Sequence, residues 1–354
     1  MDAIADRAYD PLGNNVHRII DETPSLLAVI LDINALEWKS LQETITLKET
    51  VTSIIVMLNS HLALSSSNEI ALYIANSYNI GAKMIYPKIG GDSIKENNKR
   101  RKNFASSGIN RQFKSVDLSI VGEILDIVER QPDSVKSVFG KTNKGDIDTS
   151  KQINGTLVGA LSSTLSYINK IQNRDDGTML KSRTLIISVS DDNSVPYISM
   201  MNCIFAAQKM KTSIDVCKLG KDSTFLQQAS DATNGVYVYI KHPKGLIQYL
   251  STALFIDPML RPIIVLPTNS NIDFRASCFI TNKVVDIGYV CSVCLCILSI
   301  IPIDEKCPTC HSKFDHNITT KLRRRPKVLP LVKRKTKRNG DGLNGISSPS
   351  TPVN

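Results

Sequence analysis

With 354 residues the chain can bury a sizeable core without metal or disulfide support, and it has room for one to three domains. A composition of 42% hydrophobic and 21% charged residues excludes a disordered chain. The net charge of +10 is carried by ten basic residues between Lys321 and Arg338, with no acid among them, so a broad basic nucleic-acid face is excluded and a local tail function is indicated.

No apolar run reaches the roughly 18–20 residues of a membrane helix. The best, Leu295 to Ile303, is short and holds Cys296 and Pro302. The first residues include Asp2, Asp6, Asp10 and Pro11 instead of a basic-then-apolar signal region. An intracellular protein is expected, in which thiols stay reduced and paired cysteines bind metal.

In chain order, residues 1–22 read as a flexible N-terminus. Ser25–Ile33 (SLLAVILDI) is a continuous apolar run, the pattern of a strand buried on both faces. From about Thr44, Leu47, Val51, Ile54, Leu58 and Leu62 recur at helical spacing. Short strands fit Glu69–Ala75 and Lys83–Tyr86. Residues 88–112 read as a polar insertion, Val116–Val128 as a helix and 131–152 as a polar loop. An amphipathic helix spans Asn154–Ile171, and a second buried strand Thr184–Val189. Helix Val195–Met210, strand Ile214–Leu219, helix Thr224–Thr233, strand Val236–Tyr239 and helix Gly245–Phe255 follow. This alternation predicts an α/β fold: an open, mostly parallel sheet with helices on both faces. Pro258, Pro262 and Pro267 mark a boundary near 267, and 272–287 can add strands. The domains are therefore 23–267, a small cysteine module at 268–318 and a basic, disordered tail at 319–354.

Cys291-x-x-Cys294 and Cys307-x-x-Cys310 are separated by twelve residues. Each Cys-x-x-Cys turns two thiolates to one point, and four thiolates complete the tetrahedral shell of one structural Zn²⁺ ion. A closed sulfur shell leaves no place for a reacting water. Cys296 is a rival ligand, although a buried thiol is the plainer reading. Cys203, Cys217 and Cys278 sit in apolar patterns and read as core residues.

Asp32 and Asp191 lie at the C-terminal ends of apolar strands, the edge at which open α/β sheets bind ligands. Thr156, at a helix start, points to the same edge. Together they offer oxygen ligands for Mg²⁺; equally, they cap loops and helices beyond the strands. No catalytic pattern accompanies them. Gly140-Lys141-Thr142 resembles the end of a phosphate loop, but Val135 stands where its first glycine belongs, and there is no Gly-x-Ser-x-Gly elbow.

The order strand–Asp32-x-Asn34-x-Leu36, then Gly155-Thr156 opening a helix, then strand–Asp191, resembles a von Willebrand factor A domain. That family's adhesion-type metal motif is Asp-x-Ser-x-Ser with a later Thr and a later Asp. Asp32, Thr156 and Asp191 match it. Asn34 and Leu36 replace the serines, and leucine cannot ligate, so a degenerate, empty site at Asp32, Asn34, Thr156 and Asp191 is expected. With the cysteine segment behind it, the chain resembles the small A-domain and zinc-finger subunit of the core of general transcription and DNA-repair factor IIH, in a fungal form. SLLAVILDI (25–33), MNCIFAAQKM (201–210), STFLQQASDATNGVY (223–237), GLIQYLSTALFIDPMLRPIIV (245–265) and GYVCSVCLCILSIIP (288–302) carry the likeness. It implies a non-catalytic scaffold and a hetero-oligomer with a larger A-domain and zinc-finger subunit and other core subunits. It further implies an assembly holding two helicases, in promoter opening and nucleotide excision repair.

The tail residues Lys321, Arg323, Arg324, Arg325, Lys327, Lys333, Arg334, Lys335, Lys337 and Arg338 read as a nuclear-import signal, which places the protein in the nucleus. Contact with DNA phosphates is the second reading of the same charges. Two other functions compete with the scaffold: a metal-dependent ligand-binding A domain, which requires an ion at Asp32, and a DNA-binding zinc protein, which requires binding that survives loss of the tail.

Overall fold

Strand β1 (Ser25–Ile33) is buried at all nine positions, which requires cover on both faces. In the computed structural model it supplies both. Residues 24–323 are described, apart from 79–80, 88–110, 133–134, 136–137, 140–152, 174–179, 193–194, 258–259, 262 and 265–271. The chain divides into two compact units, Met1–Ile300 and Ile301–Asn354.

The first unit is built on a six-stranded sheet of order β3-β2-β1-β4-β5-β6. Its other strands are β2 (Glu69–Asn76), β3 (Gly81–Tyr86), β4 (Lys181–Ser188), β5 (Ser213–Leu219) and β6 (Tyr237–Ile240). All neighbours pair in parallel except β2 with β3 at the edge. This is the von Willebrand A-like arrangement, with crossover helices on either side.

Alternation along β1 divides the core. Leu27, Val29, Leu31 and Ile33 face one cluster, and Leu26, Ala28 and Ile30 face the other. The short helix α1 (Ala35–Leu41) leaves the end of β1. The first cluster is closed by α2 (Leu47–Leu64) and α3 (Arg111–Glu129). In α2 the residues spaced for burial, Leu47, Val51, Ile54, Leu58 and Leu62, are all buried, each stabilising the fold by about 1.5–3 kcal/mol. Thr46 and Glu49 form a reciprocal capping box that fixes the helix start. The second cluster packs under α4 (Thr156–Gln172), α5 (Tyr197–Lys209) and α6 (Thr224–Ala232).

Several local expectations are corrected. The expected helix Gly245–Phe255 is a 3₁₀ turn, one α turn, α7 (Leu246–Tyr249), and a π turn (Leu250–Leu254). Arg183 of β4 donates to the carbonyls of Leu254, Phe255 and Ile256, at 2.9–3.1 Å, and so takes up acceptors that further helix would use. Residues 272–287 add no strand to the sheet; Ser277 and Val284 form an isolated bridge. Helix α3 begins at Arg111, before the expected Val116. In the expected polar loop 131–152, Val135 and Val138 are buried and helical. The rest of that loop from 140, the insertion at 88–110 and the N-terminus 1–22 lie outside the described residues.

After Pro243 to Leu254 the first unit ends in a small hairpin, β7 (Tyr289–Val290) paired with β8 (Ile297–Leu298). In the second unit Glu305 accepts from Thr319 Oγ1 at 2.9 Å and pairs with His316 Nδ1 at 3.1 Å. These groups belong to helix α8 (His316–Arg323) and tie its start to the preceding turn. The hydrogen bond from His316, then that from Thr319, holds the Glu305 carboxyl below its ordinary pKa. Lys321 and Arg323 are therefore helical, where the sequence pattern suggested disorder from 319. Arg324, Arg325, Lys327, Lys333, Arg334, Lys335, Lys337 and Arg338 lie outside the described residues. No described helix is long and apolar enough to cross a membrane.

Candidate functional site

The C-terminal edge of the sheet carries the first candidate. Asn34, Ser77, Gly155, Thr156 and Ser190 line a crevice there, closed by Ile153, Leu157 and Val195. Of the four residues suggested as metal ligands, Asn34 and Thr156 form its wall. Asn34 caps α1: its Oδ1 accepts from Leu36 N at 3.3 Å and from Ser77 Oγ at 3.1 Å, while its Nδ2 donates to Ser190 Oγ at 3.1 Å. Leu36 thus takes part through its backbone alone.

Asp32 turns into the sheet edge and is fully buried. Its Oδ2 accepts from Ser188 Oγ at 3.2 Å, Val189 N at 3.1 Å and Ser190 N at 2.8 Å, so it stitches β1 to the end of β4. Its Oδ1 is buried without a hydrogen-bond partner among the described residues. Asp191 instead pairs with the exposed Lys221 at 2.5 Å. The neighbouring Asp192 caps α6, accepting from Thr224 N at 2.8 Å and from Ser223 Oγ.

A cation of the chain itself lies beneath the crevice. Lys218 is fully buried in β5, opposite Ser188, which in turn holds Asp32. Its ammonium donates to the Ser190 carbonyl at 2.7 Å. Burial lowers its pKa, and Asp32, Asp191, Asp192 and Glu37 act against that fall. Lys218 carries no signal in the sequence, because a single lysine within Ser213–Leu219 has the pattern of a solvent-facing strand position. These contacts do not suit an octahedral Mg²⁺, which needs about six converging oxygens. Asn34 Oδ1, Asp32 Oδ2 and the hydroxyls of Ser77, Ser188 and Ser190 are already hydrogen-bonded within the edge, which leaves Asp32 Oδ1 over, and the Lys218 ammonium already supplies positive charge.

The second candidate is the cysteine set. The sulfurs of Cys291, Cys294, Cys307 and Cys310 all lie within 4.8 Å of one another, and none is in a disulfide. Tetrahedral zinc with sulfurs at about 2.3 Å needs sulfur separations of just under 4 Å, so the set fits a four-thiolate ion. Cys296 is buried but stands outside the cluster. Cys203 and Cys217 are core residues as expected. Cys278 is fully buried, as expected too, but outside those two large clusters, and its sulfur accepts from the backbone and hydroxyl of Ser299, both at 3.1 Å.

The fold and the four-cysteine cluster together define a class, a von Willebrand A-like domain joined to a four-cysteine module. The family model described as "Transcription factor Tfb4" matches residues 24–311. "General transcription and DNA repair factor IIH subunit TFB4" of Debaryomyces hansenii is 41% identical, over 99% of this chain and 100% of that protein. The protein of the same name from Saccharomyces cerevisiae is 42% identical, over 95% and 99%. "General transcription factor IIH subunit 3" of Dictyostelium discoideum is 33% identical, over 74% and 67%. Among solved structures, "Crystal Structure of the TFIIH p34 N-terminal Domain" is similar with a TM-score of 0.50 and 30% identity, over 66% of this chain and 98% of that one. The chain belongs to the Tfb4 family of transcription factors.

Proposed function

We propose that this chain is a non-catalytic structural subunit of the core of general transcription and DNA-repair factor IIH. It acts through protein–protein contacts in RNA polymerase II promoter opening and nucleotide excision repair. The observation that carries this reading is the near full-length likeness to yeast proteins named as subunits of that factor.

In this reading the partners are the larger A-domain and zinc-finger subunit and the other core subunits, in an assembly with two helicases. The A-like domain spans 23–267, the zinc module 268–318 and the basic tail 319–354, which directs import to the nucleus. Cys291, Cys294, Cys307 and Cys310 hold one structural Zn²⁺. The Asp32–Asn34–Thr156–Asp191 crevice works without an ion, its charge balanced by Lys218. DNA contact is confined to the tail.

Co-expression with the larger A-domain subunit tests the proposal. A stable complex that survives size-exclusion chromatography is expected; separate elution of the two chains rejects it. DNA binding that persists after deletion of 321–354 would instead favour a DNA-binding zinc protein.

A further inference from the structure

Three segments of this chain share one backbone pattern. In Cys291–Cys296, Cys291 N donates to Cys296 O at 3.0 Å and Leu295 N to Cys291 O at 2.9 Å, and Leu295 has φ +59°. In Cys307–Ser312, Cys307 N donates to Ser312 O at 2.9 Å and His311 N to Cys307 O at 3.0 Å, and His311 has φ +57°. These are the two ligand-bearing turns. In Cys278–Lys283, Cys278 N donates to Lys283 O and Asn282 N to Cys278 O, both at 2.9 Å, and Asn282 has φ +53°.

A left-handed backbone is uncommon for any residue but glycine, and for leucine or histidine it costs energy that something must offset. In the first two turns the thiolate cluster gives that offset, because the left-handed fifth residue lets two sulfurs face one point. The third turn has the same bend with Thr281 where the second sulfur ligand of the others stands. Its cysteine is closed off differently. Ser299, next to the end of β8, reaches Cys278 Sγ with both its N–H and its hydroxyl. Phe279 N donates to Ile297 O at 2.9 Å, which fastens the turn to that strand.

The geometry points to Cys278–Lys283 as a third metal-type knuckle, in which the hydroxyls of Thr281 and Ser299 stand where a soft divalent ion such as zinc would find sulfur. Burial acts to raise the pKa of Cys278, but hydrogen bonds from Ser299 and Thr281 outweigh it and bring the value to about 6. Donors thus gather on this sulfur as a cation does on a ligand thiolate. The segment is two side chains short of a second thiolate site, and in its native form it is closed by hydrogen bonds without metal.

The inference rests on the zinc reading of the other four cysteines, and metal counting in the full-length chain separates the two. The native chain should hold one zinc. The Thr281→Cys/Ser299→Cys variant should hold two, and in Co²⁺ its three added thiolates, against four in the native cluster, should raise the thiolate-to-cobalt absorbance by about three-quarters. Adding Cys278→Ser should return the count to one. Absence of zinc from the native chain defeats the four-cysteine reading. One equivalent in both native and double variant, or a second equivalent that survives Cys278→Ser, overturns the third knuckle alone. Should the double variant not fold, Thr281→Cys alone decides the matter with Cd²⁺. It keeps the Ser299 bonds and gives two thiols at knuckle spacing, so a second bound equivalent is expected and an unchanged count overturns the inference.

Discussion

Lys218 and Asp32 face each other's strands at the buried edge of the sheet, joined through β4. Ser188 bonds the carboxylate at 3.2 Å, and Ser190 offers its carbonyl to the ammonium at 2.7 Å. Each is fully buried, so each charge depends on the other's field. Lys218→Met should destabilise the protein by about 3–5 kcal/mol, as expected for a buried charge stripped of its counter-charge. The Lys218→Met/Asp32→Asn pair should lose less than the sum of the single losses in urea titrations; additive losses would show the two are not coupled. Millimolar Mg²⁺ or Mn²⁺ should leave the native Tm unchanged, because a ligand raises stability only where it binds the folded state.

Much of the fold follows from sequence pattern. β1 is legible because nine continuous residues admit burial on both faces, and α2 because Leu47, Val51, Ile54, Leu58 and Leu62 hold helical spacing. The four-cysteine cluster is legible because its spacing is local. Charge networks are not. Arg183, Asp215 and Arg261 meet only when β4, β5 and the segment after Leu254 pack together, with Arg261 Nη2 at 2.6 Å from Asp215 Oδ2. Lys218 was hidden for the same reason. The Cys278 turn was hidden because Thr281 erases the Cys-x-x-Cys signature; the surviving signal is Asn282, a residue tolerant of left-handed backbone, one place after it.

His61 gives the fold an acid limit. It is buried on α2, with Nε2 3.3 Å from the Ser25 carbonyl. Burial first, and the Arg183 charge second, lower its pKa from 6.5 to about 4. The unfolded chain therefore takes up a proton near pH 6.5 that the folded chain refuses until about pH 4. The stability from this group is complete above pH 6.5 and is lost as pH falls through that window, on the order of 3 kcal/mol in all. His61→Gln, whose amide can still reach Ser25, should flatten that part of the stability–pH curve. An unchanged acid slope in the variant would show that His61 is not the group responsible.

With the zinc ion proposed for it, the four-cysteine cluster should behave as one folding unit. Cys294→Ser and Cys307→Ser should each release zinc and unfold the segment around the cluster, because the binding energy of a structural ion is folding energy. Cys296→Ser should keep the metal, since that thiol stands outside the four. Elemental analysis of the three purified variants decides it; retained zinc in the first two, or loss in the third, would reassign the ligands.

Gly235 is fixed by a close approach of backbones. It follows α6 and leads into β6, and its N–H donates to Ser230 O at 2.7 Å. A Cβ placed there would run into the carbonyl of Ile214, at the start of β5, and into the Asp215 amide beyond it. Those atoms cannot move aside. Thr233 Oγ1 accepts from Ile214 N at 3.0 Å, Asp215 Oδ1 accepts from Val236 N at 2.9 Å, and Val216 N donates to Val236 O at 2.7 Å. Gly235→Ala should therefore push β6 off β5 and cost about 1–3 kcal/mol or more, the range for overpacking at a rigid site. Gly122→Ala is the matched control, because an added Cβ on that helical glycine meets nothing within 4 Å. There the loss of chain freedom in the unfolded state should stabilise by about 0.4–1 kcal/mol. Opposite signs for the two variants in thermal unfolding are expected; equal shifts would show that Gly235 is free of the packing described.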